Sequence, residues 1–219
     1  MRKVMCAVIA SALLLGSVQA ISAQSHVWTT NGPEGADVNA LAIDPQNAAT
    51  LYAATWANGI FKSTNGGDSW NGINAGLGDL NVRTLAVDPQ TATILYAGTL
   101  AGGVFKSADG GATWNAANAG LDYRIYPISA LAIDPQVPAT LYAGTGNGGL
   151  FKSTDAGATW IAANAGLPGS GITSLAIDPQ TTTTLYAGTA QGVFKSIDAG
   201  GAWTGTGLTT CSLSWSVSR

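Results

Sequence analysis

Leu85-Ala86-Val87-Asp88-Pro89-Gln90, then Leu95-Tyr96-Ala97-Gly98-Thr99, then Gly103-Val104-Phe105-Lys106-Ser107-Ala108-Asp109-Gly110-Gly111-Ala112-Thr113-Trp114, is one of four near-copies of a single phrase. The copies start at Leu41, Leu85, Leu131 and Leu175, so the steps are 44, 46 and 44 residues. Self-similarity at such a period marks an array of small supersecondary units, each burying its apolar faces by stacking on its neighbours.

Within one copy the signals are those of strands. Val82 to Val87 alternates apolar and polar residues and stops at Asp88-Pro89. Thr93 to Thr99, Gly103 to Ser107 and Thr113 to Ala116 follow, separated by turn residues. Four short strands per period, with no sustained helical spacing, describe a blade. The expected fold is all-β, a β-propeller of four-stranded antiparallel blades at about 38–72, 82–116, 128–162 and 172–205. The repeated Tyr52, Tyr96, Tyr142, Tyr186 and Phe61, Phe105, Phe151, Phe194 are expected in the core. Gly98, Gly144 and Gly188, with Ala54 in the first copy, leave no bulk where blades converge. Lys62, Lys106, Lys152 and Lys195 read as solvated heads whose stems cover apolar surface, rather than as a ring around an anion.

The turn before the last strand carries the strongest motif. Its positions are Ser63, Asn65, Gly67, Trp70; Ser107, Asp109, Gly111, Trp114; Ser153, Asp155, Gly157, Trp160; and Ser196, Asp198, Gly200, Trp203. The acidic side chain accepts hydrogen bonds from turn amides, the glycine takes a conformation others resist, and the Trp covers the hairpin. Asn65 keeps one acceptor oxygen in the first copy, and Ala202 stands where the others have Thr or Ser. The pattern resembles the Asp-box, or BNR repeat, S-x-D-x-G-x-T-W, of a propeller superfamily that includes sialidases, two-propeller xyloglucanases, sortilin-type receptors and photosystem assembly factors. The likeness covers residues 28 to 208. It implies that Asp109, Asp155 and Asp198 are folding elements on the face away from any active site. Asp44, Asp88, Asp134 and Asp178 of the Asp-Pro-Gln turn recur in every copy and read the same way.

A sialidase would need three arginines, a Tyr–Glu pair and an acid Asp. Beyond the leader the chain offers only Arg83, Arg124 and Arg219, and its one glutamate is Glu34. A glycosidase of either stereochemistry needs two placed carboxyl groups. The non-repeat acids are Glu34, Asp37, Asp68, Asp79 and Asp122, of which Asp79 and Asp122 are weak catalytic candidates. The assembly-factor reading lacks an arginine-rich surface.

Comparing copies separates scaffold from freedom. The turns after strands one and three are nearly constant, and the links after strands two and four vary. In an antiparallel blade these classes lie at opposite ends. The variable end carries Trp56, Asp79 and the link Asp122-Tyr123-Arg124-Ile125-Tyr126-Pro127. Trp56, Tyr123, Arg124 and Tyr126 are the ligand-binding candidates, since exposed aromatics beside an arginine suit a sugar ring or a protein hot spot. The leading expectation is therefore a non-catalytic propeller binding a glycan or protein, and the competing one a glycoside hydrolase or its remnant.

Other features bound the class. Met1-Arg2-Lys3, an apolar run to Leu15 and small residues ending at Ala20 or Ala23 read as a secretory signal peptide, so the expected location is secreted or periplasmic. Cleavage after Ala23 leaves 196 of the 219 residues and, without Arg2 and Lys3, seven basic against twelve acidic side chains. That net acidity argues against nucleic acid and, after cleavage, against an anionic membrane. Cys211 is then the one cysteine, so no internal disulfide is expected. Gly144-Thr145-Gly146-Asn147-Gly148-Gly149 matches a dinucleotide glycine pattern but opens no helix, and His26 has no metal-ligand neighbour. No cofactor and no metal are expected. Trp28-Thr29-Thr30-Asn31-Gly32 resembles an extra outer strand, and the tail 209–219 matches no repeat position. The expectation is a truncated or frame-shifted piece of a longer propeller, whose open edges allow self-association.

Overall fold

The structure, a computed structural model, describes residues 32–33, 36–121, 127–169 and 171–208. All the strands lie in one compact unit, Asn31–Arg219. The tail, the Trp28–Asn31 segment, His26, Glu34 and the link 122–126 lie outside the described residues.

Sixteen strands form four antiparallel sheets, each a simple meander. The first blade is β1 (Val38–Asp44), β2 (Asn47–Thr55), β3 (Ile60–Ser63) and β4 (Asn71–Gly72). The second is β5 (Val82–Val87), β6 (Leu95–Thr99), β7 (Val104–Ser107) and β8 (Asn115–Ala116). The third is β9 (Ile128–Ile133), β10 (Leu141–Thr145), β11 (Gly149–Ser153) and β12 (Ile161–Ala162). The fourth is β13 (Ile172–Ile177), β14 (Leu185–Thr189), β15 (Gly192–Ser196) and β16 (Thr204–Gly205). The fold is an all-β arrangement of propeller blades. The outermost strands are only two residues long, because the aromatic at the end of the preceding turn leaves the sheet.

That aromatic does more than cover its own hairpin. Trp114 reaches back to the preceding blade, where its indole N–H donates to the Ile73 carbonyl at 2.8 Å and its backbone N–H to Ala75 at 2.8 Å. Trp160 does the same to Ala117 and Ala119, and Trp203 to Ala163 and Ala165. The approach is so close that a Cβ on Gly120 (φ +88°) would sit 2.1 Å from the Trp160 carbonyl oxygen. Only glycine fits there.

Three cores fill the three joints. In the second joint Tyr96, Val104 and Leu121 of one blade meet Ile128, Leu141, Ala143 and Trp160 of the next. Gly98 marks the point of convergence, for a Cβ there would lie 2.5 Å from the Ile128 side chain of the following blade.

The recurring lysines depart from the solvated reading. Lys106 Nζ lies 5.4 Å from the centre of the Tyr96 ring and donates to the Ala156 carbonyl of the next blade at 3.0 Å. The Tyr96 hydroxyl donates to the same oxygen at 2.9 Å. Lys152 and Tyr142 converge on the Ala199 carbonyl in the same way, and Lys62 on that of Gly110. An ammonium over a ring face with a carbonyl ahead of it has two attractive partners, which outweighs full hydration at a half-buried site.

Candidate functional site

The two ends of each blade use their polar groups differently. At the constant end the recurring acids fold their own turns. One Asp88 oxygen accepts from the N–H groups of Gln90 at 2.8 Å and Thr91 at 3.0 Å, and Asp44, Asp134 and Asp178 repeat this. The Gln90 side chain then donates to the Pro135 and Gln136 carbonyls of the next blade. Gln46 reaches Gln90, and Gln136 reaches Pro179 and Gln180.

The second constant turn is tied in the same spirit. Asp109 accepts from Ser107 Oγ at 2.8 Å, from the Thr113 N–H at 2.9 Å and from the Thr113 hydroxyl at 2.6 Å. Those bonds, the Thr113 hydroxyl first, hold its pKa down to about 2, and Thr159 does likewise for Asp155. Asp198 is also lowered, by the Ala202 N–H first and then the Ser196 hydroxyl, without the threonine hydroxyl that the other two have. Asn65 keeps the bonds from Ser63 and from the Ser69 N–H, and its amide donates to Ser69 Oγ at 2.9 Å. Such carboxylates are ionised turn acceptors, poor proton donors at neutral pH.

At the variable end the frame is constant and the content is not. The Thr55 hydroxyl donates to the Gly59 carbonyl at 2.8 Å, Thr99 and Thr145 clip their turns in the same way, and Thr189 clips a turn one residue shorter. Asn74 adds a second clip: its side-chain oxygen accepts the Ile60 N–H at 2.7 Å, as Asn118 does for Val104 and Asn164 for Leu150. Neither clip is legible in the sequence, because Thr and Asn recur so widely in this chain. Inside the clips stand Trp56-Ala57-Asn58, Leu100-Ala101-Gly102 and Gly146-Asn147-Gly148.

Trp56 projects from this frame with 44% of its surface exposed. Its backbone N–H donates to Asp37, and the next residue, Ala57, is left-handed at φ 66°. A non-glycine in that region is held there by its surroundings, here the Thr55–Gly59 clip. The Gly59 N–H donates to the Leu80 carbonyl, which seats the exposed Leu80 on the adjoining segment.

Asp79 sits beside Leu80 and is fully engaged. Its two oxygens accept from the Asn81 N–H and amide and from the N–H groups of Ala101 at 2.7 Å and Gly102 at 3.1 Å. Burial opposes its ionisation, but these donors outweigh it and the pKa is lowered. The arrangement latches the second blade's variable turn to the link before it. Asp122, Tyr123, Arg124 and Tyr126 lie outside the described residues, so their placement against Trp56 is not part of the geometry.

The grooves are shallow. One of about 320 Å³ lies between Lys106, Asn115–Asn118 and the turn Asp155–Ala158, and its counterpart of about 270 Å³ lies one joint further on. A third, about 330 Å³, is walled by Val87, Leu131, Ile133 and Ile177 of the inner strands. Each is lined by one carboxylate at most, already bound in its own turn. Among the described residues no cluster of three His, Cys, Asp or Glu could hold a metal ion.

No protein-family model and no curated protein sequence matches the chain. Solved structures do. An ancestral GH74 enzyme superposes with a TM-score of 0.69 at 25% identity, over 78% of this chain and 24% of that one. The GH74 xyloglucanase from Xanthomonas campestris gives 0.66 at 23% identity, over 79% and 31%. The extracellular domain of BT4673 from B. thetaiotaomicron gives 0.57 at 19% identity, over 73% and 20%. The chain thus spans about a fifth to a third of the length of these structures, and what it shares with them is a run of propeller blades.

Proposed function

We propose that this chain is an exported, non-catalytic propeller module of Asp-box type that binds a glycan or a protein through the variable end of its blades. Trp56 is the anchor, on a clipped turn whose left-handed Ala57 fixes its direction. The observation that carries this is the contrast within one end: Thr clips in all four blades and Asn clips in the first three, around contents that differ from blade to blade. A rigid frame with an exposed aromatic is how a surface gains affinity without ordering cost. Tyr123, Arg124 and Tyr126 would extend the same surface at the next link but one. The likeness to a xyloglucanase makes a β-linked plant polysaccharide the first ligand to try. The test is affinity electrophoresis in xyloglucan and other polysaccharides, with wild type against Trp56→Ala. Retardation lost in the variant supports the reading, and equal retardation removes Trp56 from the site.

The second reading, a glycoside hydrolase or its remnant, is favoured by the two GH74 structures. It requires a pair of carboxyl groups, and Asp79 and Asp122 would supply it. Turnover of xyloglucan oligosaccharides, abolished by Asp79→Asn with the thermal midpoint unchanged, would establish it. The four N–H donors on Asp79 favour a latch instead, for which the same substitution lowers the midpoint and no turnover is seen.

A further inference from the structure

Among the described residues four blades stack in one direction, and the outer faces of the first and the fourth are unlike. Successive inner strands β1, β5, β9 and β13 pack side by side, but among the described residues β13 and β1 make no comparable contact. The leading face of the first blade exposes Leu41 at 69%, with Ile43 and Val38, whereas its internal counterpart Leu85 is 9% exposed. Among the described residues Trp70 meets no preceding blade, and its indole N–H donates to its own Gly67 carbonyl at 3.1 Å. The trailing face of the fourth blade exposes Tyr186 at 37%, against 0% for Tyr142, and Leu208 of the same blade is exposed as well. Lys195 is already poised 5.6 Å from the Tyr186 ring centre, as Lys106 and Lys152 are over theirs.

Three internal joints state what each face takes. A trailing Tyr–Lys pair takes the carbonyl before the turn glycine of the next blade: Gly110, Ala156, Ala199. The residue at that place in the first blade is Gly66, which is exposed and has nothing within 4 Å of its Cβ direction, whereas Gly110 has Lys62 Nζ at 3.3 Å. Each open face therefore lacks what the other end of the same chain presents.

We propose that two copies of this chain join head to tail, with Tyr186 and Lys195 of each receiving Gly66 of the other, so that two equivalent joints close an eight-bladed ring. Joints that match at unlike faces close only if the rotation returns to the start, and eight blades lie within the range of roughly four to eight that propellers use. Leu41, Ile43 and Val38 then pack where Leu85 packs internally. One element is not reproduced. The stretch Trp203-Thr204-Gly205-Thr206-Gly207-Leu208 is two residues shorter than Trp160 to Leu167, and the Leu208 carbonyl accepts the Val193 N–H in place of the missing Asn. The seat for Trp70 is therefore reduced, and the Tyr–Lys pair and the Leu41–Ile43 face hold the joint.

Light scattering on the eluting full chain tests this. Wild type is expected at twice the chain mass, and a monomer overturns the proposal. Two variants, Leu41→Glu with Ile43→Glu, and Tyr186→Asp with Lys195→Glu, lie on exposed or half-exposed positions at opposite ends. Each alone should run as a monomer with unchanged far-ultraviolet dichroism, and dimers of either variant overturn the joint. Mixing the two restores one intact joint out of two, so a mixed dimer should return, carrying one copy of each as read by native mass spectrometry. A mixture that stays monomeric overturns the head-to-tail arrangement.

Discussion

The constant end and the variable end of each blade are built from similar polar residues, yet they differ in where those residues point their bonds. At the constant end Asp, Gln and Lys are consumed by the turn or by the next blade. At the variable end Thr and Asn close the frame, and the residues between them are left to differ. The difference teaches that recurrence in a repeat protein measures load on the scaffold. Function is to be sought where recurrence stops.

The comparison can be broken most severely at Trp160. Truncating it to alanine removes a 3%-exposed side chain and its hydrogen bond to Ala117. The expected loss is about 3–5 kcal/mol in urea unfolding, a large part of the roughly 5–15 kcal/mol a domain has. A small loss would mean that the joints do not carry the fold. Next, Gly120→Ala puts a Cβ against the Trp160 carbonyl at a positive φ, and about 2 kcal/mol should go. Gly169→Ala, where a Cβ meets nothing, is the control.

Acid provides a subtler separation. Asp109 and Asp155 have folded pKa values of about 2, below the ordinary value of 3.8. Their contribution is whole above the ordinary pKa and is lost as pH falls through the folded one. Stability should therefore decline between about pH 4 and pH 2. Asp109→Asn with Asp155→Asn, following the precedent of Asn65, should flatten that decline when thermal midpoints are read across the range. An unaltered slope would place the acid sensitivity elsewhere. The smallest effect belongs to Trp56→Ala, which should change stability by less than about 0.5 kcal/mol while removing ligand binding. A large loss of stability would return Trp56 to the scaffold.

The blade was legible because period-two alternation, proline stops and a turn motif agreed four times over. What lay hidden was every bond that crosses from blade to blade. Lys106 beside Phe105 looks solvated until the Tyr96 ring and the Ala156 carbonyl are placed around it. Trp114 looks like a lid on its own hairpin until Ile73 of the preceding blade supplies its acceptor. The Ala156 and Ile73 carbonyls are 50 and 41 residues away, and local pattern carries no information at that range. For the candidate site, the exposure of Trp56 agreed with its place outside the repeat, whereas the four donors on Asp79 come from two segments about twenty residues apart.

The Asp-Pro-Gln turn has an evolutionary consequence. Its aspartate serves its own blade and its glutamine the next, so each unit carries one half of a joint on either side. Duplicating a unit in the gene copies both halves together. The newcomer fits between its parents with no compensating change, and losing a unit leaves its neighbours compatible. Selection can then treat the number of units as a quantity to be varied, while mutations at each Trp56-like position drift independently.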